Sequence, residues 1–369
     1  MGVFMFIKNL LLMNFRNYNE LNIELSSGTN IFIGDNAQGK TNIIESIYYC
    51  SLGKSHRTNK DKELINWNKQ DAYIRLYAIT KRLDKKVEIK IFKDGKKGIK
   101  INSIKIQKIS ELIGVFNVVI FSPEDLKIVK DSPSYRRRFL DIELSKLDNR
   151  YYYNLVQYNK VLDEKNALLK KYSEKMINIM DVYDEQLSSY GAFLIKERFK
   201  YIEKLNLKGN NIHNQITSDK ENIEFKYLTT VDDLSKVKED LRIKLLKSRA
   251  KDVERRTTSI GPHRDDFSIT INDIDTRSFG SQGQQRTSVL TIKFSSLEII
   301  KDEIGEYPVL LLDDVLSELD LSRQKYILNS IKNVQTIITC TDAYNIKKYL
   351  DKDIKVFRVK DNGLVVENS

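Results

Sequence analysis

Eight consecutive residues, Gly34-Asp35-Asn36-Ala37-Gln38-Gly39-Lys40-Thr41, carry the spacing GxxxxGK[ST]. Glycines at these positions let successive backbone N–H groups curl around phosphate oxygens. An apolar stretch precedes the loop and an amphipathic one follows it, so the amides are expected at a helix N-terminus, where the dipole adds to their attraction for anions. Lys40 is then expected to reach the β and γ phosphates of ATP and the Thr41 hydroxyl to ligate Mg2+. Asn42, the next residue, joins this cofactor-binding set. A glycine-rich turn that only caps a helix would reach the same spacing by accident. Far downstream, Val309-Leu310-Leu311-Leu312-Asp313-Asp314 reads as a buried strand ending in two carboxylates. The C-terminal end of such a strand faces the ligand crevice. This Walker B pattern gives Asp313 to Mg2+, through its water shell, and Asp314 to the attacking water, which it would orient or deprotonate. Lys40, Asp313 and Asp314 form the expected catalytic set. Between the two motifs, Ser281-Gln282-Gly283-Gln284-Gln285 precedes another amphipathic run, Arg286 to Ile300. By themselves Ser and Gly are ordinary helix caps, and only the company of the other motifs makes Ser281, Gly283 and Gln284 a second candidate phosphate site.

The elements that must hold these residues follow from the apolar pattern. Short runs at Met5 to Leu12, Leu21 to Glu24 and Asn30 to Ile33 predict strands, and Ile43, Ile44, Ile47 and Tyr48 predict a helix over Asn42 to Leu52. Val87 to Ile101 predicts a hairpin turning at Lys93-Asp94-Gly95-Lys96, and Val118 to Phe121 one more buried strand. Leu140, Leu144, Leu147, Tyr151, Leu155, Tyr158 and Leu162 then recur at three- and four-residue steps. A second series runs from Met176 to Leu205. Together they predict two long antiparallel helices, each on the order of 45–55 Å, forming a short arm. Asp232 to Lys251 predicts a further helix; Phe267 to Ile271, Pro308 to Leu312, Thr336 to Cys340 and Lys355 to Val359 predict strands. The expected organisation is an α/β domain built from 1–122 and 255–369, interrupted by a helical insertion over 123–254.

A chain of 369 residues, 41% hydrophobic and 31% charged, can bury a sizeable core. No apolar run approaches the roughly 20 residues of a membrane helix, and the N-terminal stretch reads as a strand rather than a signal peptide, so a cytoplasmic protein without membrane contact is expected. Cys50 and Cys340 are far apart and suggest neither a disulfide framework nor a zinc site. A net charge of +11 favours an acidic partner. Lys81 to Lys100, Arg136 to Arg138 and Lys247 to Arg256 are basic, yet each reads as a solvated face when taken separately, and Arg136 to Arg138 could equally tie the helices to the core. Of His56, His213 and His263, only the last invites a role, as part of a hydrogen-bonded turn. Trp67 suggests no chemistry.

Walker A, a long insertion, a Ser-x-Gly-Gln helix start, Walker B and Ser317-Glu318-Leu319-Asp320 follow one another in the order of ABC-type ATPases. Over nearly its whole length the chain resembles the RecF family of bacterial DNA repair proteins, relatives of the SMC and ABC ATPases. The matching segments include Phe15-Arg16-Asn17-Tyr18, Phe121-Ser122-Pro123-Glu124-Asp125-Leu126, Arg136-Arg137-Arg138-Phe139-Leu140-Asp141, Gly261-Pro262-His263-Arg264-Asp265-Asp266 and Gly283-Gln284-Gln285-Arg286.

The resemblance implies an ABC-type ATPase head with a mixed sheet and an inserted helical arm. It also implies a homodimer that sandwiches two ATP molecules, each held by Walker A and B of one chain and by Ser281 to Gln284 of the other. It implies sequence-independent binding to single-stranded DNA and single-strand/duplex junctions, work with RecR and RecO in placing RecA on gapped DNA, and a supporting role for the His263 segment at the site. Two other readings, an SMC-type chromosome or nuclease-associated ATPase and a transport ATPase, fit less well. The arm is short, no zinc-hook CxxC is present, Glu124 and Asp125 stand in place of a Gln-loop glutamine, and Thr341-Asp342 stands in place of the switch histidine. Asp314 replaces the usual catalytic glutamate and is one methylene shorter, which predicts slow, timer-like hydrolysis.

Overall fold

The computed structural model describes residues 5–171, 173, 177–331, 333–342 and 353–360 in full, and the backbone of 363–367. The chain forms two compact units, Met1–Asp125 with Lys293–Ser369, and Leu126–Ile292.

The first unit begins with β1 (Phe6–Phe15), β2 (Tyr18–Glu24), β3 (Thr29–Ile33) and α1 (Lys40–Leu52), followed by β4 (Asp71–Ile79), β5 (Lys85–Phe92), β6 (Lys97–Ile101), β7 (Ile104–Lys105) and β8 (Val118–Phe121). Six of these strands form an antiparallel sheet in the order β2-β1-β4-β5-β6-β7. Its faces are set by alternation: along β4, Ala72, Ile74, Leu76 and Ala78 are buried while their neighbours are half-exposed. Gly95 turns the β5–β6 hairpin at a φ of 87°, as the Asp-Gly pair predicts.

The second unit holds α2 (Lys127–Lys130), α3 (Pro133–Leu147), α4 (Asn149–Leu169), α5 (Ile177–Thr217), β9 (Ile223–Leu228), α6 (Val237–Arg255), β10 (Asp266–Ile271), β11 (Ile274–Asp275), α7 (Thr276–Phe279) and the start of α8 (Gln282–Ile304). The antiparallel pairing of α4 and α5 is marked by buried polar contacts: Lys165 meets Asp184 at 2.7 Å and Tyr151 meets Arg198 at 2.9 Å. Two expectations need correction. The seam from Leu140 to Leu162 is two helices, because Asp148 adopts an extended backbone and caps α4 by accepting from Arg150 N at 2.8 Å. The second series runs on to Thr217, so α5 has 41 residues and spans about 60 Å. Met176 lies outside the described residues.

The expected boundary at 254 also moves. Phe267 to Ile271 does not return to the sheet of the first unit; β10 pairs antiparallel with β9, Phe267 opposite Tyr227, in a separate three-stranded sheet, and the second unit continues to Ile292. The burial of β10 alternates, unlike the fully buried strands beside the nucleotide loop.

The chain re-enters the first unit within α8 and adds β12 (Val309–Asp313), α9 (Leu321–Ser330), β13 (Thr336–Cys340), β14 (Ile354–Lys360) and β15 (Gly363–Glu367). These complete a second sheet in the order β15-β14-β3-β13-β12-β8, parallel except for the β15 edge. Strands β3, β8, β12 and β13 are buried at every position. The buried Gln335 side chain joins the two sheets, donating to Ile7 O at 2.8 Å and Ser26 O at 2.7 Å and accepting from Ile7 N at 2.6 Å.

The segment Gly261 to Asp266 belongs to the second unit, where it packs against the long helices. Gly261 has a φ of 128°, and a Cβ there would sit 2.4 Å from the Tyr158 hydroxyl. His263 donates from Nε2 to Thr258 O at 3.0 Å, so Nδ1 accepts from the Tyr158 hydroxyl at 2.6 Å. Burial, with the charges of Arg264, Arg137 and Lys165, lowers its pKa to about 4. An unfolded histidine titrates near 6.5, so between pH 6.5 and 4 the unfolded chain binds more protons and stability falls as the pH falls. We expect the wild type to lose about 1.5 kcal/mol more than His263→Gln between pH 6.5 and 5 in urea unfolding. Parallel pH profiles for the two proteins would contradict this assignment.

Candidate nucleotide site

Strand β3 delivers the loop Gly34–Thr41 to the N-terminus of α1, and the local geometry explains its glycines. A Cβ on Gly34 would lie 2.5 Å from Val359 O, and Gly39, at a φ of 103°, would drive one to 2.4 Å from the Asn17 amide. Asn17 donates to Gln38 O at 3.2 Å and accepts from Asn42 at 2.7 Å. The turn between β1 and β2 thus shapes the loop from outside. Neither Arg16 nor Asn17 carries a local sequence signal for this task, since both act through residues distant in the chain.

Lys40 is buried in this loop and donates to Gly34 O at 2.5 Å and Asp35 O at 2.8 Å. Its partner residue, Thr41, donates to Asp313 Oδ1 at 2.9 Å across to the end of β12. Thr339 on β13 donates to the same oxygen at 2.9 Å and accepts from Asp314 N at 3.0 Å. Asp314 has a φ of 53°; the Ser317 hydroxyl donates to its backbone carbonyl at 2.8 Å and lies 3.1 Å from its carboxylate. Loop residues 34–41, Asn42, Asp313 and Asp314 therefore meet in the first unit. Burial pushes the neighbouring Cys340 thiol up to about 12.

The other polar groups here divide between structure and site. Asp125 accepts from Ser122 N at 2.7 Å and pairs with Lys293 at 2.6 Å, which commits it to closing the end of β8. Glu45 on α1 is buried, and burial alone would raise its pKa. The hydrogen bonds from Arg16 and Ser55 and the charges of Arg16 and Arg57 outweigh that and hold it below the ordinary carboxylate range. Arg57 also donates to Asn42 at 2.9 Å.

His56, given no role from sequence, lies in the electrostatic field of Glu45, Asp313 and Asp125, and burial lowers its pKa. Among the described residues its Nδ1 has no hydrogen-bond partner. Ser281, Gly283 and Gln284 belong to the second unit. There Gln284 N donates to the Ser281 hydroxyl at 3.2 Å and Ser281 N donates to the Gln284 side chain at 2.9 Å, a capping box at the start of α8.

The donor set fits a magnesium nucleotide. Thr41 and Asp313 set two oxygens 2.9 Å apart, and oxygen donors are what a small hard cation requires. Among the described residues no group of three or more His, Cys, Asp or Glu could hold a metal, so such a cation would draw its remaining ligands from phosphates and water. The basic clusters resolve unevenly. Arg136 is buried and forks onto Asp266 at 2.6 and 2.9 Å, and Arg137 donates to Asp265 O at 2.8 Å, so both fasten α3 to β10. Arg249 pairs with Asp181 and Asp184.

A parallel sheet that sets a P-loop beside paired acids, interrupted by a helical unit, defines a P-loop ATPase head of the ABC and SMC type. The family model for the RecF/RecN/SMC N-terminal domain matches residues 6–364. A DNA replication and repair protein RecF of Clostridium novyi (strain NT) is 65% identical over 361 residues, covering 98% of this chain and 99% of that one. Its counterpart in Clostridium tetani (strain Massachusetts / E88) is 63% identical over 368 residues, covering 99% and 100%. A solved structure of the recombination mediator protein RecF with ATP superposes with a TM-score of 0.92 at 38% identity, covering 100% of this chain and 99% of that one. The SMC head domain of Pyrococcus furiosus bound to the C-terminal domain of ScpA shares the fold, with a TM-score of 0.59 at 16% identity over 98% of this chain and 96% of that one. The chain belongs to the RecF family and is a protein of DNA replication and repair.

Proposed function

We propose that the chain binds ATP with Mg2+ at Gly34–Thr41 and that the nucleotide joins two copies into a clamp on DNA. The observation that carries this reading is the convergence of Lys40, Thr41 and Asp313 at the N-terminus of α1. The loop amides and Lys40 hold the phosphates. Thr41 and Asp313 would hold the cation, whose charge would offset that developing on the transferred phosphoryl group. Asp314, oriented by Ser317, positions the attacking water. Because an aspartate reaches less far than a glutamate, hydrolysis is slow and sets the lifetime of the clamp.

Ser281, Gly283 and Gln284 complete the site of a second copy, using the amides at the start of α8. The clamp acts in the cytoplasm on gapped or junction DNA, independently of sequence, with partners of the RecR and RecO type and in support of RecA loading. This fits the placement of a relative in the RecFOR pathway.

Light scattering and DNA binding with and without ATP test the reading. We expect ATP to drive dimerisation in the wild type and Ser281→Arg to abolish it while nucleotide binding persists. Asp314→Asn should lengthen the dimer lifetime at least about tenfold, since it removes the carboxylate but keeps its shape. A chain that stays monomeric with ATP in the wild type and in both variants overturns the clamp.

A further inference from the structure

Trp67 is 93% exposed, in contrast to the buried aromatics of both units. It stands at the apex of a tight turn in which Lys69 N donates to Asn66 O at 3.0 Å. The turn is fixed on both sides: Asn66 N donates to Asn14 O at 2.8 Å, and Lys93 N, from the β5–β6 turn, donates to Gln70 O at 3.0 Å. The indole is therefore presented on fixed backbone. Around it, Arg16, Lys62, Lys69 and Lys93 line a shallow cavity of about 340 Å3. The three lysines are exposed and make no ion pair among the described residues. Its one carboxylate, Glu63, accepts from Thr58 at 2.6 Å and lies 3.9 Å from Lys60.

We propose that this patch holds a strand of DNA with an unpaired base. The lysines take successive phosphates and the Trp67 indole stacks on the base. Exposed cations around a flat, uncovered aromatic match the two faces of a single strand, a charged backbone and an open π-surface, whereas bases inside a duplex offer no face to stack on. The proposal rests on the DNA-binding reading above and adds to it a place, the Trp67 turn, and a contact, stacking on one unpaired base. The patch also touches the nucleotide loop's own supports. Arg16 donates to Glu63 O at 2.8 Å and to the Glu45 carboxylate of α1 at 2.7 and 2.9 Å, and Arg16 N donates to Leu64 O at 2.7 Å. One arginine thus spans the turn that carries Trp67 and the helix that begins at Lys40.

Trp67 is the only tryptophan in the chain, so its emission reports on this position alone. The test titrates the full chain, with ATP and Mg2+, with fluorescently labelled oligothymidylate and, separately, with a closed hairpin duplex lacking unpaired ends. Anisotropy follows binding, and indole emission follows stacking. We expect oligothymidylate to quench the indole strongly and the duplex to leave it nearly unchanged. Trp67→Ala should weaken oligothymidylate binding about tenfold, Trp67→Phe should lose much less, and both should still dimerise with ATP, which separates lost stacking from misfolding. Binding of the oligonucleotide with unchanged emission and unchanged affinity in Trp67→Ala overturns the patch while leaving the DNA-binding reading intact. An equal loss on the duplex overturns the stacking contact. Absence of any DNA binding by the wild type overturns both.

Discussion

Lys40→Met is expected to lower ATP affinity by at least about 100-fold, the loss for removing a buried charge partner of a phosphate, on the order of 3 kcal/mol or more. Methionine nearly keeps the length of the side chain and its packing, so the substitution isolates the charge. The ammonium is held by Gly34 O and Asp35 O in the loop it serves, so it is already positioned for phosphate. In the free protein these two carbonyls lose a donor, at a cost of about 1 kcal/mol of stability. Titration calorimetry at fixed Mg2+ measures the first effect, and urea unfolding without nucleotide the second. Binding within about threefold of the wild type would place the phosphates elsewhere and remove the basis of the clamp.

The second large effect lies in the helical unit. Lys165 is fully buried; it meets Asp184 at 2.7 Å and Asp252 at 3.6 Å, and these carboxylates are 1% and 0% exposed. Arg249 also reaches Asp184, but among the described residues Asp252 finds only hydroxyl and amide partners besides Lys165, from Ser248 and Ser259. Lys165→Met therefore leaves a buried carboxylate without a cation. We expect a loss of about 3–5 kcal/mol and a melting temperature lower by about 10 °C, read by circular dichroism. Adding Asp252→Asn removes the orphaned charge and should recover more than about 1 kcal/mol. A loss under about 1 kcal/mol for the single variant would mean that water or rearrangement reaches a group now sealed from solvent.

The nucleotide loop, β3, α1 and β12 were legible because their signals are local: glycine spacing, a helical apolar period, and a short apolar run ending in acids. Non-local pairing was harder to read. The seam through Leu144, Leu147 and Tyr151 keeps its period across Asp148, so the break showed only as a capping residue. Phe267 to Ile271 has the composition of any strand, and nothing in it points to Ile223 to Leu228 as its partner. Arg136 to Arg138 reads equally as a charged face or as a tie to the core until Asp266 is placed opposite Arg136. Among the site residues, Thr339 and Asn17 are ordinary side chains whose value lies in what they touch. Lys62, Lys69 and Lys93 make a patch with Trp67 only after two turns are stitched together.

The order of strands in the parallel sheet constrains how the protein can be made. Strand β3 lies between β13 and β14, whose residues follow it by about 300 positions. At roughly 5–20 residues per second, the stretch that carries the nucleotide loop must wait some 15–60 seconds on the ribosome before either neighbour exists. Within that interval the intervening helical unit is itself synthesised, ending at Ile292, about 44 residues before β13 begins, so it can fold before the sheet closes. An apolar β-strand with both edges open is meanwhile a target for chaperones. Truncation before β13 should thus yield a chain that is folded in its middle, insoluble at its start and unable to bind nucleotide.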